Sequence, residues 1–149
     1  MMILGGQNRV KLELIRHINA SIHKVWRASN FKTASGPFRV IILDEGNPIN
    51  GVGSIQKIFN GPLSVQEKCL SSDPPFSMTY TLLKGAPVKS DDLGTITLSQ
   101  EEDGTDLSWV IQFTPLIPGI GLLVKGLLKR MITKVIDRIE SDAIIASSL

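Results

Sequence analysis

From residue 118 to about residue 147 the chain carries apolar side chains at the three- and four-residue spacing of one amphipathic helix: Ile120, Leu123, Val124, Leu127, Leu128, Met131, Val135, Ile136 and Ile139. Lys125, Lys129, Arg130, Lys134 and Arg138 fill its other faces. At roughly 1.5 Å per residue such a helix is about 40 Å long, more than a small domain needs as a cap. Its stripe therefore predicts a wide partner surface, and the preceding sequence offers a sheet. A long helix held across a curved sheet encloses a cavity, which directs the first functional expectation toward a hydrophobic ligand.

The sheet is read from alternation and punctuation. Val10, Leu12 and Leu14 alternate with Lys11 and Glu13 as a half-buried strand. Ser21 follows as N-cap of a short helix carrying Ile22, Val25 and Trp26, and a second helical turn fits within 30–37. Strands are then predicted at 39–44, 51–59, 63–70, 76–83, 94–100 and 107–114, separated by Gly46-Asn47-Pro48, Asn60-Gly61, Asp73-Pro74-Pro75, a looser 84–92 connection and Glu102-Asp103-Gly104-Thr105. Short turns between consecutive strands make an antiparallel α+β fold, not a parallel nucleotide-binding sheet. The 149 residues read as one domain, 1–149.

Several function classes are excluded by composition. A net charge of +2, with aromatics at 5%, gives no nucleic-acid footprint. The single cysteine, Cys69, and two isolated histidines, His17 and His23, offer no metal-ligand spacing, so no metal and no cofactor are expected. Gly51-Val52-Gly53 and Gly119-Ile120-Gly121 do not complete a phosphate-binding pattern. The first six residues are too short and uncharged for a signal peptide; a reduced, cytoplasmic setting is expected. Asp91-Asp92 and Glu101-Glu102-Asp103 read as solvated loop charges. The basic positions Arg130, Lys134 and Arg138 read as a solvated face, with contact to anionic lipid headgroups, a peripheral membrane contact of the C-terminal helix, as the second reading.

Parity assigns the inward faces. Met78, Tyr80 and Leu82 share one side, Ile96 and Leu98 another, and Leu107, Trp109, Ile111 and Phe113 a third. Two strands mix polar groups into this pattern. Ser54 and Gln56 share parity with Val52 and Ile58, while 63–70 reads either with Ser64, Gln66 and Lys68 inward or with Leu63, Val65, Glu67 and Cys69. Gln56 and Gln66 either orient the polar end of a guest or touch water at a strand edge.

Residues in sequence order also carry a resemblance. Ile18-Asn19-Ala20-Ser21-Ile22-His23-Lys24-Val25-Trp26, Gly51-Val52-Gly53-Ser54-Ile55, Asp73-Pro74-Pro75 before 76–80, and Gly104-Thr105-Asp106-Leu107-Ser108-Trp109 with Phe113-Thr114-Pro115 precede the final helix. Together they resemble the START-like, Bet v 1-like superfamily (SRPBCC), in its polyketide cyclase/dehydrase and lipid-transport branch. The resemblance implies a helix-grip fold: a seven-stranded antiparallel sheet wrapped around a long C-terminal helix, with one or two short helices between strands 1 and 2. It implies binding or transport of a small hydrophobic ligand, lipid-like or aromatic/polyketide, with a cyclase/dehydratase-like enzyme as the alternative. The ligand-binding wall would include Ser54, Gln56, Gln66, Met78, Tyr80, Leu82, Ile96, Leu98, Trp109, Ile111, Leu127 and Met131, with the 84–92 connection near the mouth. No catalytic residue is assigned. The stretch after Trp26 is shorter than is common in the family, which abbreviates a second helix.

Overall fold

The computed structural model describes residues 9–29, 38–49, 51–60 and 62–148. Its elements are β1 (Val10–Ile18), α1 (Ile22–Ala28), β2 (Phe38–Asp44), β3 (Ile55–Asn60), β4 (Leu63–Asp73), β5 (Ser77–Lys84), β6 (Leu93–Glu101), β7 (Gly104–Phe113) and α2 (Gly121–Ser148). The seven strands form one antiparallel sheet in the order β1-β7-β6-β5-β4-β3-β2. Consecutive hairpins build β2 to β7, and β1 closes onto β7. One short helix lies between β1 and β2; the second helical turn expected at 30–37 lies outside the described residues.

Alternation decides which face is covered. Along β7, Leu107, Trp109, Ile111 and Phe113 are buried while Ser108, Val110 and Gln112 are half-buried on the other side. Ile96 and Leu98 of β6, Tyr80 of β5, Ile58 of β3 and Leu12 of β1 join them. Val124, Leu128, Ile132, Val135, Ile136, Ile139 and Ala143 of α2 complete the core from the other layer. Arg16 of β1 pairs with Asp137 at 3.0 Å and Glu140 at 2.9 Å, tying the helix to the sheet edge.

The junction after β1 is held by side chains. Ser21 Oγ accepts from the Lys24 backbone N–H at 3.4 Å, the cap expected from the sequence. Gln100 Oε1 accepts from the Ile22 N–H at 2.9 Å, and Thr105 Oγ1 donates to the Ala20 carbonyl at 2.8 Å. These bonds fix α1 over the β6–β7 turn and so fix where Trp26 stands. At the other end of α1, Arg138 Nη2 donates to the Ala28 carbonyl at 3.3 Å.

Three readings are corrected. Arg138 is buried, with its guanidinium also 3.3 Å from Asp142, so it does not continue the exposed row of Arg130 and Lys134. Leu127 is 56% exposed and faces away from the sheet. The start of α2 is apolar on nearly every side (Leu122, Leu123, Val124, Leu127, Leu128), so periodicity there cannot choose a buried face. Asp92 is buried rather than solvated, accepting from Thr81 Oγ1 at 2.9 Å and from the Leu82 N–H at 2.8 Å.

Two truncations separate these environments. Trp109→Ala is expected to lower unfolding stability by about 3–5 kcal/mol in a denaturant titration, because it empties a buried indole site. Leu127→Ala should change it by no more than about 0.5 kcal/mol, as expected of an exposed side chain.

Candidate functional site

The register of β3 against β4 resolves the ambiguous strand. Gln56 stands opposite Glu67 and Lys57 opposite Gln66. Gln56 Nε2 donates to Glu67 Oε1 at 2.6 Å, so both point to the concave side, and Gln66 falls with Lys57 on the convex side. In the pairing with β5 the register slips between Gln66 and Glu67 and again between Cys69 and Ser71. The second slip leaves Leu70 exposed and re-aims the strand, so that Ser72 follows Cys69 onto the concave side.

Above these residues lies a cavity of about 660 Å³. Gln56, Glu67, Cys69, Met78, Tyr80, Ile96 and Trp109 form its floor and walls, Trp26 and Ser29 close it from α1, and Glu45 to Ile49 with Gly51 and Ser54 form its rim. Ile49 on that rim is 93% exposed. A second cavity of about 40 Å³ lies under α2, between Ile58, Val65, Leu82, Ile111 and the helix residues Leu128, Met131 and Ile132. Glu67, Tyr80 and Trp109 border both, so these three side chains form the partition between them.

The partition is polar and internally bonded. Trp109 Nε1 donates to the Tyr80 hydroxyl at 2.8 Å, the rings meeting edge-on at 89° with centroids 6.3 Å apart. The hydroxyl's own proton has no protein acceptor among the described residues. Gly94 makes this arrangement sterically allowable: a Cβ there would fall inside the Tyr80 ring. Glu67 is 8% exposed, and burial pushes its carboxyl up to about 7 while the Gln56 amide pulls it partly back. Burial and the nearby Glu67 push the Tyr80 phenol up, keeping it neutral. Burial likewise raises Cys69, which stays a thiol and is a poor nucleophile.

The expected wall residues therefore divide. Ser54, Gln56, Met78, Tyr80, Ile96 and Trp109 line the larger cavity; Leu82, Ile111 and Met131 line the smaller one. Leu98 is packed in the core and borders neither, Gln66 lies on the opposite face, and Leu127 points to solvent. The 84–92 connection does not form the rim: Val88 bridges Pro115, and Lys89 N–H donates to the Thr114 carbonyl at 2.8 Å, at the far end of β7. Glu67 was the residue to find. Its parity with Val65 and Cys69 was one of two registers the sequence left open, and an ionisable group in an apolar row looks like a surface residue until its partner is seen. His17 lies outside the site, its Nδ1 2.6 Å from Asp106 and its Nε2 3.2 Å from Asp103, and His23 is exposed. No group of three potential metal ligands occurs among the described residues.

A family model described as polyketide cyclase/dehydrase and lipid transport matches residues 9–143. The chain belongs to this family. With it comes the START-like, Bet v 1-like superfamily that the sequence motifs resembled, and the helix-grip fold is shared by solved structures. Ara h 8.0201 superposes with a TM-score of 0.72 at 15% identity, over 91% of this chain and 98% of that one. A norcoclaurine synthase point mutant from Thalictrum flavum, in complex with a transition-state analogue, gives 0.71 at 15%, over 93% and 96%. The di-domain aromatase/cyclase StfQ of the steffimycin biosynthetic pathway gives 0.72 at 10%, over 95% of this chain and 53% of that one. At these identities the likeness is one of fold. No protein of curated function is significantly similar in sequence. Among the described residues no helix of this family member is long and apolar enough to cross a membrane.

The raised carboxyl makes stability depend on pH. The folded protein holds the Glu67 proton up to about pH 7, whereas the unfolded chain releases it near the ordinary 4.5. Stability is therefore full below that window and falls as pH rises through it. Glu67→Gln should be neutral at pH 4 and stabilising at pH 8, by up to about 3 kcal/mol, in paired denaturation curves. A second substitution tests the partition's packing. Gly94→Ala should displace the Tyr80 ring and cost about 1–3 kcal/mol in the same assay.

Proposed function

We propose that this protein binds a small, largely hydrophobic molecule bearing carbonyl or hydroxyl oxygens, of the aromatic or polyketide type, in the larger cavity. The observation that carries this reading is the pair of groups on the cavity wall: a neutral Tyr80 hydroxyl with a proton to give, and Glu67, a carboxyl that is about half protonated at neutral pH. Both donate to an oxygen acceptor in an environment where water competes poorly. The mixed wall favours such a guest over a plain acyl chain, because Ser54, Gln56, Ser72 and Asn47 would lose hydration against methylenes without recovering hydrogen bonds. Apolar burial against Trp26, Met78, Ile96 and Trp109 supplies affinity, at roughly 25 cal/mol per Å². A cytoplasmic setting, in which Cys69 stays reduced, goes with this reading.

Both tryptophans of the chain line the cavity, so occupancy is visible in their fluorescence. A hydroxyanthraquinone is expected to quench it saturably and a saturated fatty acid to do so much more weakly. Tyr80→Phe or Glu67→Gln should weaken the anthraquinone by about three- to tenfold, the worth of one hydrogen bond. Native mass spectra without any adduct, together with quenching that neither substitution alters, would remove the site from consideration.

A cyclase/dehydratase-like activity is the second reading, and one observation favours it: a carboxyl near 7 is matched to proton transfer at neutral pH. Glu67 as carboxylate would take a proton from the carbon between two carbonyls, Tyr80 would hydrogen-bond the developing enolate oxygen, and the enolate carbon would attack a second carbonyl. The alkoxide so formed would take that proton back from Glu67 to become a hydroxyl; Glu67 would then remove the remaining proton of the same carbon and give it to the departing hydroxyl, releasing water and leaving a carbon–carbon double bond. Deuterium exchange into a β-diketone in D₂O distinguishes the readings. The enzyme accelerates it along a pH curve centred near 7 that Glu67→Gln abolishes, whereas a carrier leaves exchange at the solvent rate.

A further inference from the structure

The start of α2 carries an apolar surface that neither cavity uses. Leu122 is 83% and Leu123 65% exposed, and with Leu127 they occupy the side of the helix turned away from buried Val124, Leu128 and Ile132. The turn entering the helix adds Leu116 and Ile117, each more than half exposed. Scattered exposed leucines are ordinary in soluble proteins, but five such side chains on one tip mark an interaction surface.

Along the start of α2 and the turn before it the charge is of one sign. Lys125, Lys129, Arg130 and Lys134 lie on the same stretch of helix, and no Asp or Glu occurs between Asp106 and Asp137. None of the four has an ion-pair partner among the described residues. Protein interfaces are depleted in lysine at their centres, whereas leucines edged by cations match the boundary between acyl chains and anionic headgroups. We propose that the α2 tip docks this protein on an anionic lipid bilayer, with Leu122, Leu123 and Ile117 entering the acyl boundary and the four cations over lipid phosphates. The helix is already folded, so docking costs little ordering entropy. The rim of the larger cavity, at residues 45–51, lies beyond the opposite ends of the strands from the start of α2, so a docked molecule presents its cavity to the aqueous side. The inference does not rest on what the cavity holds.

Co-sedimentation of the full chain with phosphatidylcholine vesicles, with and without phosphatidylserine, tests it. Binding is expected with phosphatidylserine alone and should weaken as salt rises. Lys129→Glu with Arg130→Glu should reduce it by about tenfold or more, and Leu122→Ser with Leu123→Ser should abolish it. Circular dichroism and melting should show both doubly substituted proteins folded, since every changed side chain is exposed. Failure to bind phosphatidylserine vesicles, equal binding to both vesicle types, or unchanged binding by either variant overturns the proposal. A concentration-dependent dimer that the serine substitutions dissolve, in a protein that ignores vesicles, would overturn it in favour of a second copy of the chain on this face.

Discussion

The packing of α2 along the concave side of the sheet is what every other feature depends on. Val124, Leu128, Ile132, Val135 and Ile139 lie against the inward row of β7 and its neighbours, and Arg16 clamps the helix toward the β1 edge through Asp137 and Glu140. A straight helix cannot cover a sheet of seven twisted strands. On the strands farthest from β1 the inner face is only partly covered: Ile58, Glu67 and Tyr80 are buried, while Gln56, Cys69 and Met78 are half-buried and line the larger cavity. The cavity is thus a consequence of fitting a rod to a curved surface, not of missing side chains.

Inside that space the chain concentrates its buried polarity at one partition. Trp109 holds the Tyr80 oxygen, Gln56 holds the Glu67 carboxylate edge, and the missing side chain of Gly94 gives the tyrosine ring its place. Two groups that ordinarily ionise far apart in pH are both shifted upward by the same burial. The result at neutral pH is a site that donates hydrogen bonds more readily than it carries charge. Such a site suits neutral oxygen acceptors better than ammonium groups, which would require a fully ionised partner. On the proposed reading this arrangement would retain a guest, and on the alternative it would transfer a proton to one.

Family membership fixes the scaffold and leaves chemistry to the individual wall. Structures sharing this fold at 10–15% identity include a norcoclaurine synthase mutant with a transition-state analogue bound and the di-domain StfQ of the steffimycin biosynthetic pathway. Fold alone does not transfer an activity between them. The features of this member are concrete: Glu67 beside Gln56, Tyr80 beside Trp109, a rim from the β2–β3 turn, and a leucine-rich helix start followed by cations.

Local patterns in the sequence were enough for the α+β class, the seven strands and the long final helix, because alternation and helical periodicity are written by the solvent on each element separately. They also turned Tyr80, Ile96, Trp109 and Ile111 to the buried face of the sheet, since each sits in an apolar row. The same patterns failed where a row was mixed or uniformly apolar. Gln66 and Glu67 exchange faces with a one-residue slip, and only cross-strand pairing with Gln56 settles which looks inward. Leu127 and Leu128 are equivalent to hydropathy, and the orientation of α2 against β1 and β7 decided that one is exposed and the other buried. Glu67's raised pKa, the place of Arg138 and the closure of Asp92 are likewise properties of contacts between distant segments. Sequence specifies each element's preference for water or oil; a shared burial, which sets register and protonation, exists only once the elements meet.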